Sequence, residues 1–267
     1  MITAGLRKYI MNLPVAAGWD DLRPDQFTTI TSHLSQFTGA ELNARITWSL
    51  LGITWRTPKK LAALFVALTP EERHRLTGLA KPFLKPDGLT ATPLKELHAG
   101  KHTLVCAHHD LLNQIDAEEW GLVDTAFMRF NKTRDIMWLH AMAQGLYSLP
   151  GTSLEDRLHN NASEQLVKLV PREELLALHV MWAGHRTVFE ADAPWVFRSV
   201  NQKKASRKKS GWIDVLLGLS ASTFGPYKDV CRTPARIFLR QLSHSIELAT
   251  ERKHKAEAER NKRHAKR

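Results

Sequence analysis

The chain has 267 residues, of which 43% are hydrophobic and 24% are charged, and it includes eight Trp and ten Phe. This composition is typical of a globular protein with one large or two small domains, and it excludes global disorder. The two cysteines lie far apart in the sequence, which excludes a disulfide scaffold and favours a reducing compartment.

The formal net charge of +11 is concentrated in two segments. Residues 200–210, the basic linker, contain five Lys or Arg and no acidic residue; residues 251–267, the basic arm, contain eight Lys or Arg and three Glu. Each segment is net +5, so the rest of the chain is almost neutral. We expect both segments to be exposed. The candidate basic contacts are Lys203, Lys204, Arg207, Lys208 and Lys209 in the linker, and Lys262, Arg263, Lys266 and Arg267 in the arm.

Helical signals dominate the first half of the chain. Pro24 and Asp25 follow two acidic residues, Asp20 and Asp21, which predicts a helix start with the acidic pair as caps. Apolar residues then follow at helical spacing. Further helix starts are predicted at Gly39, Thr57-Pro58 and Thr69-Pro70, a loop over 81–93, and a strand within a small hairpin at Thr103–Ala107.

The second half is again helical. Predicted helices cover Ala117–Phe130, Ile136–Tyr147, Pro171–Phe189 and Gly211–Ala221; a turn is predicted at Phe224–Tyr227 and a last helix from Thr233-Pro234. Beyond Ala249 no large apolar residue remains, so this helix should run into solvent. The expected fold is mainly α: a multi-helix globular body with a minor β-hairpin and a long C-terminal helix. The expected division is a body over 1–199, the linker over 200–210, a helical unit over 211–250 and the arm over 251–267.

Local catalytic and metal motifs are weak. Gly100-Lys101 resembles the end of a phosphate-binding loop, but Lys95 stands where that loop needs Gly. His98, His102 and Cys106 have ligand side chains for zinc, but Gly100 interrupts the helix that would align the two histidines. Gly218–Ser222 departs from the nucleophile-elbow pattern at its last position. We therefore predict a non-enzymatic protein without metal or cofactor, although a site assembled from distant residues needs no local motif.

No stretch approaches the roughly 20 apolar residues of a membrane span, and the N-terminal run is too poor for a secretory signal. The sequence thus predicts a cytoplasmic protein without membrane contact.

Several segments together resemble a known group of proteins. They are Gly18–Phe27, Phe130–Tyr147, Met181–Arg186 with Trp195–Phe197, and Gly211–Ser220 followed by Thr223–Tyr227 and Thr233-Pro234. In this order they are similar to proteins encoded in tail-gene regions of phages and prophages of Bacteroidetes, in the position of a tail assembly chaperone. The resemblance spans most of the chain and brings no catalytic residues with it.

This resemblance implies a helical protein that keeps the tape-measure protein soluble and helps to recruit tail-tube subunits in the host cytoplasm. A long helix with an apolar stripe aggregates unless it is covered, and a helical protein can cover it. The expected partner-binding residues lie in the C-terminal unit: Trp212, Leu216, Phe224, Tyr227 and Phe238. The opposing interpretation is that these residues only pack that unit together.

Two other functions stay open from the sequence. The basic linker and the basic arm fit a nucleic-acid-binding protein, whose cations would contact phosphates. The same extensions also fit a structural component of the virion, such as a tail or connector subunit, whose basic segments thread between subunits.

Overall fold

Helices account for most of the chain, as the apolar spacing predicts. The structure is a computed structural model that describes residues 2–6, 9–13, 15–52, 68–152, 156, 161–198, 212–220 and 225–265. The expected mainly α fold with a minor hairpin and a long C-terminal helix is confirmed. The helices are α1 (Pro24–Gln36), α2 (Gly39–Leu50), α3 (Pro70–Gly78), α4 (Leu111–Gln114), α5 (Ala117–Thr133), α6 (Met137–Leu146), α7 (Asn161–Val167), α8 (Arg172–Asp192), α9 (Pro194–Phe197), α10 (Trp212–Ser220), α11 (Tyr227–Arg232) and α12 (Ala235–Ala265).

Capping residues explain where the early helices begin. The Thr69 side chain accepts a hydrogen bond from the backbone nitrogen of Glu72, and the Thr69 nitrogen donates to the Glu72 carboxylate at 2.8 Å. This reciprocal box precedes Pro70 at the first position of α3. The similar start predicted at Thr57-Pro58 lies outside the described residues.

Two antiparallel hairpins supply the strands. The predicted hairpin is confirmed: β3 (Glu96–Ala99) pairs with β4 (His102–Cys106), and β5 (Tyr147–Ser148) extends the sheet beyond β4. A second hairpin, β1 (Ile2–Leu6) with β2 (Tyr9–Leu13), was not predicted. The dipeptide between these two strands, Arg7-Lys8, carries none of the Asn-Gly or Asp-Gly turn signals that mark a hairpin in sequence.

The chain divides into two compact units, and the boundary differs from the one expected at residue 199. Unit 1 comprises Met1–His109 and Ala126–His185, and unit 2 comprises Asp110–Thr125 and Arg186–Arg267. Residues 110–125 and 186–198 therefore belong with the C-terminal helices. Backbone hydrogen bonds that join Ile115 and Ala117 to the start of α12 explain this grouping. The sequence did not predict it, since local patterns do not reveal long-range pairing.

Aromatic and polar contacts join α1 to the loop after α3 within unit 1. The Trp19 ring meets Phe27 and Phe83 edge-on, each at 5.6 Å between centroids, and its Nε1 donates to the Lys85 carbonyl. Asp20 accepts hydrogen bonds from the backbone nitrogens of Thr90 and Ala91, each at 2.8 Å. The sequence predicted Asp20 as a helix cap, and the structure shows in addition that its carboxylate holds the loop at Thr90 and Ala91.

The same loop packs tightly on α8. A Cβ atom at Gly184 would lie 2.7 Å from both Leu89 Cβ and the Pro86 carbonyl oxygen. One helical position on, the buried His185 ring bonds the Ala91 carbonyl at 2.9 Å. Unit 1 thus depends on a close helix-to-loop approach that only glycine permits. In the described part of the chain, no helix combines the length and apolarity of a membrane span.

We expect Gly184→Ala to lower the free energy of unfolding of unit 1 by about 2 kcal/mol, because the added methyl forces the backbone of the loop and α8 apart. Urea unfolding followed by tryptophan fluorescence measures the change. Gly78→Ala is the matched control, since a Cβ at Gly78 meets nothing within 4 Å. Equal stability of the two variants would contradict this packing.

Candidate functional sites

The C-terminal helix α12 is anchored at its N-terminal end within unit 2. The backbone nitrogen of Ala235 donates to the Ile115 carbonyl at 2.8 Å, and that of Ala117 donates to the Thr233 carbonyl at 2.9 Å. Phe238 follows one turn into the helix and is 1% exposed. The first turns of α12 are therefore held both by backbone pairing and by burial.

Ion pairs and a hydrogen bond fix the same part of α12 to the residues around α9. The Asp192 carboxylate bonds the guanidinium groups of Arg236 and Arg240, the latter at 2.9 Å. The Trp195 backbone nitrogen donates to Ser243 Oγ at 3.1 Å. Burial alone would raise the pKa of Asp192, but the two arginines outweigh burial and lower the pKa.

The second half of α12 projects into solvent. Every residue over 251–262 is exposed, while the helix continues to Ala265. An isolated helix of this length is marginal in water, because the first turn is costly to form. Here the anchored half already provides that first turn, and the Ala, Glu, Lys and Arg of the arm are good helix formers.

An exposed stripe on α12 leads from the anchored half to the arm. Ile237, Gln241, His244 and Leu248 share one face because they are spaced at i, i+4, i+7 and i+11, and all four are exposed. Ile237 and Leu248 are 50% and 39% exposed. We call these four residues the α12 stripe.

A cluster of aromatic rings holds α10 within unit 2. Trp212 meets the Trp120 ring at 4.6 Å between centroids and Phe197 at 6.5 Å. Its Nε1 donates to Asp124, a carboxylate 2% exposed that also pairs with Arg186 at 2.8 Å. A hydrogen-bonded, paired carboxylate is the form in which a buried charge is tolerated.

The predicted partner-binding residues mostly face the interior of unit 2. Trp212 is half-buried in the aromatic cluster, and Leu216 and Phe238 are each 1% exposed. Tyr227 is half-buried, and its hydrogen bond with Cys231 together with burial raises the pKa of Tyr227 to about 12. Phe224 lies outside the described residues. Sequence reasoning missed the α12 stripe, although its spacing was readable, because exposure cannot be read from spacing.

The predicted basic contacts are only partly described. Lys262 is exposed on α12, and Arg263 lies on the same helix. The other two arm residues, Lys266 and Arg267, lie outside the described residues, as do the linker residues Lys203, Lys204, Arg207, Lys208 and Lys209.

The histidine-rich segment around β3 makes contacts within the protein. His98 donates its backbone nitrogen to one Glu174 oxygen at 2.7 Å, and its Nδ1 lies 2.9 Å from the other. Over the residues that the structure describes, no three His, Cys, Asp or Glu side chains are arranged to hold a metal ion.

Unit 1 contains a pocket of about 750 Å³ that sequence reasoning did not find. Its walls come from the C-terminal half of α1, the end of α5 and the first turns of α8. Arg134, which follows α5, and Arg172, which opens α8, both line it. The sequence signal closest to the pocket was the break at Asn131–Thr133. This break predicts a helix end, but it does not predict that the following residue, Arg134, lines a pocket.

His179 lines the pocket and is neutral at physiological pH. Its ring stacks on Phe127 at 4.8 Å, meets Phe130 edge-on at 5.0 Å, and bonds Asn131 Oδ1 at 2.9 Å. Burial, with a further contribution from the charge of Arg134, lowers the pKa of His179 to about 4. The imidazole therefore lines the pocket as an uncharged polar group.

Comparison with known proteins gives no relative: no family model, curated protein or solved structure matches the chain.

The low pKa of His179 predicts an acid-sensitive unit 1. The folded pKa of His179 lies below the unfolded value of 6.5. The contribution of His179 to folding stability is therefore fully present above pH 6.5 and is lost as the pH falls towards 4. Between pH 7 and 4 we expect the wild type to lose about 3 kcal/mol more unfolding free energy than His179→Gln. Urea unfolding at both pH values measures this, and an NMR titration of the ring measures the pKa. Equal losses in the two proteins would contradict the assignment.

Proposed function

We propose that this protein is a non-enzymatic phage tail assembly chaperone or accessory protein that binds the tape-measure protein through α12. The partner class comes from the segments that resemble tail-region proteins. The single observation that carries the proposal is the α12 stripe, an exposed face on the same turns of the helix that bury Phe238 and Leu242.

The chemistry of the stripe suits a helical partner. Ile237 and Leu248 lie about three turns apart on one face, so they can contact apolar positions on a parallel or antiparallel helix. The arm beyond them carries both signs of charge, with Glu251, Glu257 and Glu259 among its cations. Such a helix can pair with the charged residues that flank an apolar stripe, which favours register over raw affinity.

Binding through α12 also explains why the helix is anchored so firmly. A helix held at its N-terminal end by Asp192, Arg236 and Arg240 presents the α12 stripe without a further cost in ordering. Binding through α12 would then cost this chain less conformational entropy than binding through a disordered tail.

Co-expression with the tape-measure protein of the same phage genome tests this proposal. We expect the full chain to raise the soluble fraction of the tape-measure protein several-fold and to co-purify with it. The double variant Ile237→Glu with Leu248→Glu should abolish both effects, because it places charges on the apolar positions of the stripe.

The control is Leu149→Glu with Leu169→Glu, two exposed apolar residues that belong to unit 1 and not to α12. It should behave like the wild type. No gain in solubility together with no co-purification would contradict the proposal, as would equal activity of the two double variants.

A second candidate function, nucleic-acid binding, is favoured by the exposed cations of the arm. Arg252, Lys253, Lys255 and Arg260 form no ion pair with any side chain that the structure describes. Free cations on an exposed helix can contact successive phosphates and release counterions.

A gel-shift titration of duplex DNA at about 50 and 200 mM salt separates the two candidates. If nucleic acid is the partner, affinity falls steeply with salt and is lost when the chain is truncated after Thr250 and the five linker cations are changed to Gln. Weak binding at low salt, or affinity that survives these changes, would contradict this candidate.

A further inference from the structure

We propose that the pocket of unit 1 is a binding site for a small organic oxyanion, a carboxylate or phosphate with a short apolar portion, held by Arg134 and Arg172. The pocket is formed by α1, the end of α5 and the start of α8, all within unit 1. This inference does not depend on the proposed role in tail assembly.

The charge of the pocket wall favours an anion. Arg134 and Arg172 line it from two different helix ends, and Glu173 is the one acidic residue among the lining side chains. Neither guanidinium group forms an ion pair with a residue in the described ranges; Arg134 only lies over the Phe130 ring at 5.7 Å. Arginine is the side chain whose planar fork binds carboxylate and phosphate oxygens in pairs.

The backbone of Arg134 supports a role for its side chain. Its φ of +59° makes it the one described residue other than glycine in the left-handed region. Glycine is the usual residue at this position after a helix, because a Cβ is unfavourable in this conformation. A strained arginine at the edge of a pocket is the kind of backbone outlier that supports a hypothesis of function.

The rest of the wall sets the size and polarity of the ligand. Leu34, Leu176 and Val180 provide apolar surface, and Phe130 adds a buried ring. His179 is neutral and its Nε2 is bonded to Asn131 Oδ1, so it contributes a polar, uncharged surface to the wall. A volume of about 750 Å³ lies in the range of small-molecule sites, which combine apolar walls with a few polar groups.

Calorimetric titration of the full chain with three probes of equal chain length tests the proposal. The probes are octanoate and octyl phosphate, each below its micelle concentration, and neutral octanol below its solubility limit. We expect one site for at least one of the two anions, with an affinity at least tenfold above that for octanol. Binding of octanoate alone or octyl phosphate alone identifies the oxyanion.

Two variants locate the site. Arg172→Gln should weaken binding of the anion at least tenfold, whereas Arg129→Gln, an exposed arginine of α5 outside the pocket, should bind like the wild type. Arg134→Gly should also lose at least tenfold in affinity while its melting temperature is equal to or above that of the wild type, because glycine relieves the strain. This separates loss of binding from loss of folding.

Three results would overturn the proposal. The first is no saturable binding of either anion. The second is binding of octanol as tight as that of the anions. The third is equal affinity in Arg172→Gln, Arg134→Gly and Arg129→Gln, which would place the bound anion elsewhere on this positively charged chain.

Discussion

The anchoring of α12 is the constraint on which the rest of unit 2 depends. Backbone pairing with Ile115 and Ala117, the Asp192 ion pairs and the burial of Phe238 fix the first turns of a 31-residue helix. Since helix nucleation is the costly step, a fixed beginning allows the exposed continuation to stay helical without packing of its own. One element thereby serves as core on one side and as accessible surface on the other.

Unit 1 is organised around different physical requirements. Its interior joins a loop to α8 through Gly184, where no side chain fits, and ties the same loop to Asp20. Its pocket instead retains groups that cost stability: an arginine in the left-handed region and a histidine whose protonation burial opposes. Unit 1 therefore combines close packing in one part with tolerated strain in another.

Local features were predictable from the sequence, and long-range placement was not. Thr69-Pro70 identified a helix start because a cap acts on neighbouring backbone groups, and the run at Thr103–Ala107 identified a strand. The pairing of Asp116 with Pro234, which draws residues 110–125 into unit 2, has no local signal. The same holds for candidate sites: the charge of the arm was readable, but the placement of Arg134 and Arg172 in one pocket depends on how three helices pack.

The helix α12 is packed at its beginning and exposed over 251–262. Hydrogen–deuterium exchange of the full chain, resolved along α12, tests this most directly, because exchange reports local opening. We expect amides over 236–246 to exchange orders of magnitude more slowly than those over 251–265. Equal, strong protection over both regions in the free protein would contradict it.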